Sequence, residues 1–433
     1  MSSQRKILAA SAAAALLLTQ TCTAHAESPT ALVVEAAPHK AAAHERSRTW
    51  QAILARPSLA VALAFDEATE SSEAARLWRV VARDGLLLAS YSDDLGRGFS
   101  SPVRVNAEPE SILGDGENRP KLVVQKGVLY VSWTHGLSGP MTGDIRFSRS
   151  LDGGRSFTTP LTVNDNREVI SHRFDALTVD RHGHVALAWL DKRDLQAAQK
   201  AGQPYSGAAV YVAESLDGGK SFSANRKLAD HSCECCRIGL AQDADGVPVA
   251  LWRHIYAAAD GSQIRDFAIA RFNAAAQRTS EDGWQLNGCP HHGGALAIDT
   301  QGRRHLSWFT GAKDKAGLWY RHIDGQTAHA AQLFADGERQ PAHASLQVQG
   351  DAVFIAWQEY DSDAQVLRIQ VMHSRDRGEH WSVPVTQAMT AHAADYAQLI
   401  RGRGKVWLVW NTADEGLRLW PLEIVAGPGT GQP

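Results

Sequence analysis

Short apolar stretches that end in tryptophan recur along the chain. They end at Trp133, Trp189, Trp252, Trp308, Trp357 and Trp410, and an earlier copy contains Trp78. The six later copies are roughly 50 to 60 residues apart, a spacing that is typical of repeat architectures. A third stretch of alternating apolar and polar residues follows each one, and often a fourth. Four short strands in a repeat of this length are the pattern of one propeller blade.

The pattern predicts an all-β fold, a single β-propeller of four-stranded antiparallel blades. The long helical periods that a barrel of alternating helices and strands requires are missing. First strands are predicted near Leu59, Pro120, Phe174, Ile238, Gly293, Ala344 and Tyr396. This favours seven blades, with six as the alternative if the first repeat is incomplete. The last repeat lacks a fourth strand, and we expect an N-terminal segment, 31–37 or 50–54, to supply it and close the ring.

The N-terminus carries the features of a secretory signal peptide. Arg5 and Lys6 precede an apolar run over 7–18, and small residues follow at the Ala24-His25-Ala26 spacing. The apolar run is shorter than the ~20 residues that span a bilayer. We therefore expect a signal peptide over 1–26, an N-terminal arm over 27–57, the propeller over 58–424 and a flexible tail over 425–433. The mature protein is expected in the periplasm or secreted, without a membrane span.

Charge and composition exclude several function classes. The 44 Lys and Arg residues nearly balance the 47 Asp and Glu residues, so no basic stripe indicates nucleic acid as a partner. No glycine-rich phosphate loop leads from a strand into a helix, so no nucleotide cofactor is predicted. We expect a monomer whose partners are a metal ion, a glycan or a periplasmic protein.

A second motif lies between the third and fourth strands of four repeats. It reads Ser-x-Asp-x-Gly-x-x-aromatic, with its aspartates at Asp94, Asp152, Asp217 and Asp376. In such a turn, Ser and Asp bind turn amides, Gly takes a positive φ and the aromatic residue packs between blades. The motif resembles the Asp-box of the sialidase-type β-propellers, and the resemblance covers roughly residues 58–424. Because an Asp-box is a structural turn, it indicates fold and not activity.

Cysteine and histidine are concentrated in the loops that lead into the first strands. In a propeller these loops lie on the face opposite the Asp-boxes, where functional sites are usual. The residues predicted to converge there as soft-metal ligands are Cys233, Cys235, Cys236, Cys289, His291, His292 and His343. Thiolates with imidazoles suit copper(I) or zinc, and copper is preferred because thiols in an oxidising compartment need a soft partner.

A second interpretation of this cysteine cluster remains open. Exported cysteines usually pair, so a disulfide between Cys289 and one of the other three would join two blades. In that case the protein is a metal-free propeller that binds a glycan or a protein partner and has no catalytic activity.

The sialidase resemblance also implies a set of catalytic residues. Sialidases hold the substrate carboxylate with three arginines and use a tyrosine nucleophile, a glutamate that activates it and an aspartate acid/base. The positions that match are Arg119, Arg173 and Arg237 for substrate, and Tyr396, Glu359 and Asp175 for catalysis. The chain departs from the family because its nearest matches to the aromatic-Arg-Ile-Pro motif lie in other repeats. The cysteines also have no place in sialidase chemistry.

Overall fold

The computed structural model describes residues 59–66, 75–114 and 116–424, together with the backbone of a two-residue strand at Leu32–Val33. The predicted signal peptide over 1–26 and the tail over 425–433 lie outside the described residues, as does most of the N-terminal arm. No helix in the described part of the chain has the length and apolar character needed to cross a membrane.

Antiparallel strands make up nearly all of the regular secondary structure of the described residues. The first half contains β1 (Leu32–Val33), β2 (Val61–Phe65), β3 (Leu77–Arg83), β4 (Leu86–Ser92), β5 (Val103–Arg104), β6 (Ile112–Leu113), β7 (Lys121–Gln125), β8 (Val128–Gly136), β9 (Gly143–Ser150), β10 (Leu161–Thr162), β11 (His172–Val179), β12 (Val185–Asp191), β13 (Ala208–Ser215) and β14 (Arg226–Ser232). One α-helix, α1 (Arg193–Lys200), lies between β12 and β13.

The second half continues the same alternation. It contains β15 (Gly239–Gln242), β16 (Pro248–Ala257), β17 (Gln263–Arg271), β18 (Gln277–Arg278), β19 (Ala295–Ile298), β20 (Arg304–Thr310), β21 (Gly317–Asp324), β22 (Thr327–Ala328), β23 (Gln332–Asp336), β24 (Ala342–Gln349), β25 (Ala352–Asp361), β26 (Val366–Ser374), β27 (Val385–Thr390), β28 (Gln398–Gly402), β29 (Lys405–Thr412) and β30 (Gly416–Leu422). A 3-10 turn, η1 (Gly337–Arg339), precedes β24.

These strands pair with their chain neighbours to form repeated units, which we number 1 to 7 in chain order. Units 1 to 6 begin with β2, β7, β11, β15, β19 and β24, and each continues through strands that pair in sequence. Units 3 and 4 are joined into one sheet by a single pair, Ser232 with His254. Unit 7 consists of β28, β29 and β30, and its fourth strand is β1, which pairs Leu32 with Leu419. Leu32 and Val33, which belong to the predicted segment over 31–37, thus pair with the strand at the edge of the last repeat.

The first strands of the units lie side by side. Each contacts the first strand of the next unit, and β28 of unit 7 contacts β2 of unit 1. The end of the sheets at which these first strands begin is called here the upper face, and the opposite end, which carries the turns between third and fourth strands, is called the lower face.

The repeated tryptophans form the largest buried side chains of the second strands. Trp133, Trp189, Trp252, Trp308, Trp357 and Trp410 are all at most 2% exposed. Each indole N–H still requires an acceptor when buried. The acceptors are the side chains of Glu110, Asp191, His254, Asp282 and Glu359 and the carbonyl of Asp395. Several polar residues near the upper face are therefore hydrogen-bond acceptors for buried tryptophans.

The Asp-box turns connect neighbouring units on the lower face. In the turn of unit 2, the Ser150 hydroxyl donates to Asp152 at 2.8 Å and accepts from the Gly154 amide at 2.8 Å. Gly154 packs directly on the ring of Trp78 in unit 1. The turn of unit 3 behaves in the same way, since its Phe222 meets Phe147 of unit 2 edge-on at 5.0 Å.

Gly154 provides a test of this packing. A Cβ atom at Gly154 would overlap the Trp78 ring, whereas one at the adjacent Gly153, which also has a positive φ, would meet nothing within 4 Å. Both substitutions by Ala cost about 1–2 kcal/mol of backbone strain. Gly154→Ala adds an overpacking cost of ~1–3 kcal/mol. We expect urea unfolding to show this extra loss for Gly154→Ala; equal losses for both variants would contradict the packing described.

Candidate functional site

Three loops and the start of one strand meet at the carboxylate of Glu117 on the upper face. It accepts hydrogen bonds from the backbone N–H of Arg237 at 3.0 Å and of Gly293 at 3.0 and 3.1 Å. The Nδ1 atom of His343 lies 3.1 Å away as a further partner. Glu117 precedes unit 2, Arg237 and Gly293 precede units 4 and 5, and His343 is the second residue of β24 in unit 6. One buried side chain therefore joins loops that are more than a hundred residues distant in sequence.

Glu117 is ionised in this environment. Burial alone would raise its pKa, but the hydrogen bond with His343 and the positive charge of Arg237 lower the pKa to about 2. The His343 ring stacks on Tyr396, with the centroids 3.5 Å apart, and on His292 at 5.3 Å. Burial, together with the charges of His343 and Arg253, lowers the pKa of His292 to about 3. The His292 ring is therefore neutral at physiological pH.

Arg119 forms a bidentate ion pair with Asp395 in the same cluster. Its two terminal nitrogens lie 2.8 and 2.9 Å from the carboxylate oxygens, and one of them also donates to the Tyr396 carbonyl at 3.2 Å. Both side chains are buried. Burial raises the pKa of Asp395 to about 6, and the charge of Arg119 opposes this shift. The donors of Arg119 are thus directed at the protein itself.

The other two predicted arginines are in different positions. Arg237 donates from Nε to the Gly294 carbonyl at 3.3 Å and from a terminal nitrogen to the Ala344 carbonyl. Burial and the nearby charge of Arg119 lower the pKa of Arg237. Arg173 is buried in β11, with its guanidinium carbon 5.0 Å from the Phe174 ring centroid. Arg119 and Arg237 therefore share one cluster.

The three residues predicted for sialidase catalysis have different hydrogen-bond and charge partners. Tyr396 belongs to the Glu117 cluster, and burial together with the charge of Glu117 raises its pKa to about 12. Asp175 accepts from the hydroxyl of Ser132 at 2.6 Å, and burial raises its pKa. Glu359 accepts from the indole of Trp357 at 2.9 Å. The carboxylates whose charges raise the pKa of Tyr396 are those of Glu117 and Asp395, and not that of the predicted Glu359.

Three of the four cysteines among the described residues form a group that we call the thiol cluster. The sulfur atoms of Cys233, Cys235 and Cys289 all lie within 4.8 Å of one another, and those of Cys233 and Cys235 are 3.7 Å apart. Cys236 lies 3.6 Å from Cys233 but outside this group. All four are free thiols, since a disulfide requires about 2.05 Å. The disulfide that the sequence suggested is therefore not present among the described residues.

Two buried arginines position the thiol cluster. Arg265 directs a terminal nitrogen at the sulfur of Cys233, 3.1 Å away. Arg253 donates to the carbonyls of His292 at 3.0 Å and Phe309 at 2.8 Å, which fixes the loop that carries Cys289. Contacts with the neighbouring thiols, and the charge of Arg265, lower the pKa of Cys233. The site is thus arranged to hold at least one thiolate.

The predicted histidine ligands do not lie in the thiol cluster. His291 is exposed and has a φ of 54°, so the loop turns sharply there. His292 packs on Phe309 at 4.5 Å and on His343. The four-sulfur, three-imidazole site expected from sequence is therefore two neighbouring groups, a thiol cluster and a His292–His343–Tyr396 stack. The two arginines behind the thiol cluster give no signal in the sequence because they are internal residues of strands.

Comparisons with known proteins show a fold and no family. No protein-family model matches the chain, and no curated protein matches it. The BP39L lectin from Burkholderia pseudomallei is 9% identical, with a TM-score of 0.54 over 85% of this chain and 99% of the lectin. The polysaccharide lyase Uly1 is 10% identical, with a TM-score of 0.52 over 86% of this chain and 91% of the lyase. The Hadza microbial sialidase Hz136 is 13% identical, with a TM-score of 0.45 over 82% of this chain and 74% of the sialidase. The chain therefore has the fold of the β-propellers.

Glu117→Gln tests the role of the buried carboxylate. Its folded-state pKa of about 2 is below the ordinary value of 4.5, so its stabilisation is complete above pH 4.5 and is lost as the pH falls through about 2. We expect the variant to lose about 3 kcal/mol of unfolding free energy at neutral pH, and progressively less in acid. Urea unfolding across this range measures the difference, with the exposed Glu108→Gln as control. A loss that is independent of pH would contradict the charge assigned to Glu117.

Proposed function

We propose that this protein is an exported, seven-bladed β-propeller that binds copper(I) at the thiol cluster. The observation that carries the proposal is the convergence of Cys233, Cys235 and Cys289 without a disulfide. Cys289 comes from the loop before unit 5, more than fifty residues beyond the other two. Bringing a distant third thiol to this point is not required by the packing of either unit.

The spacing of the sulfur atoms fits a single metal ion. A metal about 2.3 Å from each of three thiolates holds them ~4 Å apart. The observed separation of 3.7 Å for Cys233 and Cys235 and the 4.8 Å limit for the group agree with this geometry. Cys289 is exposed and the other two are buried, so one ligand is available at the surface for metal transfer.

The donor set favours copper(I) over harder ions. Thiolates are soft ligands, and the group contains no imidazole or carboxylate. A three-coordinate thiolate site satisfies copper(I), whereas structural zinc requires a fourth ligand. Arg265 offsets part of the negative charge that three thiolates bring together.

Seven blades and a closed ring are supported by the strand neighbours. Seven first strands contact one another in chain order, and the last contacts the first. The pairing of β1 with β30 completes the seventh unit with a strand from the opposite end of the chain. Export is supported by the sequence features of residues 1–26.

Copper(I) titration of the reduced protein tests the proposed function. We expect one copper(I) per chain. Mutation of an outer-shell partner of a metal site already lowers metal affinity by about 10- to 100-fold. Because Cys289→Ser removes a ligand itself, we expect it to lower the copper(I) affinity by at least ~100-fold. Cys236→Ala is the matched control and is expected to bind normally, since this thiol lies outside the group. Competition with a chromophoric copper(I) chelator measures the affinity. Absence of uptake, or equal weakening in both variants, would overturn the assignment, and preference for zinc would overturn the choice of metal.

A second candidate function is action on a glycan at the Glu117 cluster. One observation favours it: Tyr396, Glu117, Arg119 and Arg237 act on one another electrostatically in a single cluster of the upper face. The bidentate Asp395 pair of Arg119 counts against it, because a substrate carboxylate would have to displace that partner.

Release of a fluorogenic sialoside separates the two candidates. If the Glu117 cluster hydrolyses glycosides, Tyr396→Phe is expected to lower the rate by at least ~100-fold, because the nucleophile is removed. Tyr360→Phe is the control, since Tyr360 is exposed in β25. No release by the wild-type protein, or equal release by Tyr396→Phe, eliminates the hydrolase.

A further inference from the structure

A group of metal-ligating side chains lies on the lower face, at the opposite end of the sheets from the thiol cluster. It is built on the hairpin between β21 and β22 in unit 5. His322 and Asp324 are two residues apart in β21, so their side chains lie on the same side of the strand. His329 donates its backbone N–H to the carbonyl of His322 at 3.0 Å, which places it opposite His322. The two imidazole centroids are 4.1 Å apart.

This hairpin occupies the position of an Asp-box. In units 1, 2, 3 and 6 the third strand ends at the serine of the motif, whereas in unit 5 it ends at Asp324 and turns through Gly325 and Gln326. The Asp-box of unit 6 lies beside it and contributes Glu379. The hairpin therefore replaces a structural turn by one with two imidazoles and a carboxylate.

The atoms that face one another are suited to a single ion. One ligand atom from each of His322, Asp324 and His329 lies within 4.8 Å of the other two. The Asp324 carboxylate is 3.1 Å from Nε2 of His329, and the Glu379 carboxylate is 3.6 Å from Nε2 of His322. Zinc bonds of about 2.0–2.1 Å hold tetrahedral ligands ~3.4 Å apart.

His322 gives the independent indication of a ligand. It is 3% exposed, and its Nε2 atom has no hydrogen-bond partner among the described residues. A buried polar atom without a partner costs about 1–3 kcal/mol. The ion pair between Asp324 and His329 accounts for that pair by itself, but it leaves the Nε2 atom of His322 unexplained.

Arg303 holds the carboxylates in place. It forms a bidentate pair with Asp324 at 2.8 Å for both contacts, and it donates to Glu379 at 2.7 Å. A carboxylate oxygen has enough lone pairs to accept from Arg303 and to bind a metal as well. Outer partners of this kind orient the ligands of metal sites.

We propose that His322, Asp324 and His329 bind a divalent cation of the zinc class, with Glu379 as the fourth ligand. Two imidazoles and a carboxylate form a nitrogen and oxygen donor set, which distinguishes this site from the thiol cluster. The ion joins the hairpin of unit 5 to the Asp-box turn of unit 6. The site is independent of the proposed copper site.

Cobalt(II) is the probe that separates this site from the thiol cluster. Tetrahedral cobalt bound by nitrogen and oxygen gives visible d–d bands without the thiolate charge-transfer band that sulfur ligands add. We expect the full-length protein to show such a species and zinc to displace the cobalt. In His329→Ala we expect an affinity at least ~100-fold lower, since a ligand is removed from a partly exposed position.

His182→Ala is the matched control, because His182 is exposed in a turn between β11 and β12. It is expected to bind cobalt like the wild type, and all three proteins are expected to have the same circular dichroism spectrum. The proposal is overturned if all bound cobalt shows the thiolate band, if no cobalt binds, or if His329→Ala binds as tightly as His182→Ala.

Discussion

The carboxylate of Glu117 determines how the upper face is assembled. Its bonds to the amides of Arg237 and Gly293 and to His343 bring together the loops that precede units 2, 4 and 5 and the start of the first strand of unit 6. Such a buried charge is tolerated only when it is well paired, and removing one partner of a buried pair is strongly destabilising. The low pKa of Glu117 has the same origin. Burial disfavours the charged carboxylate, but its hydrogen-bond and charge partners stabilise that form more strongly.

The thiol cluster depends on this arrangement because Glu117 binds the backbone on both sides of it. Arg237 directly follows Cys236, and Gly293 lies four residues after Cys289. Fixing these two amides sets the distance between the two cysteine-bearing loops. Two further arginines contact these loops. Arg253 donates to the His292 carbonyl, and Arg265 donates to the Cys233 sulfur. A site made from loop residues is thus held by buried charged groups.

The repeating part of the structure can be predicted from the sequence. The tryptophan repeat predicts the second strands. Of the two N-terminal segments proposed to complete the last sheet, 31–37 and 50–54, the first contains β1. The three thiols of the cluster are among the predicted ligands, and the sequence alone leaves open whether they bind a metal or form a disulfide. The Glu117 cluster escapes sequence analysis because its main contacts are to backbone amides, which have no side-chain signature. The His322 hairpin escapes it because it matches no Asp-box.

The pairing of β1 with β30 places the two ends of the chain in one sheet. Unit 7 has only three strands until a segment from the N-terminus arrives, and the unpaired edge of β30 is open to other strands in the meantime. The contact with the greatest separation in sequence is therefore also the one that completes the last sheet. Contacts between residues far apart in sequence slow folding. The edge of β30 therefore stays open to misassociation until the segment that carries β1 reaches it.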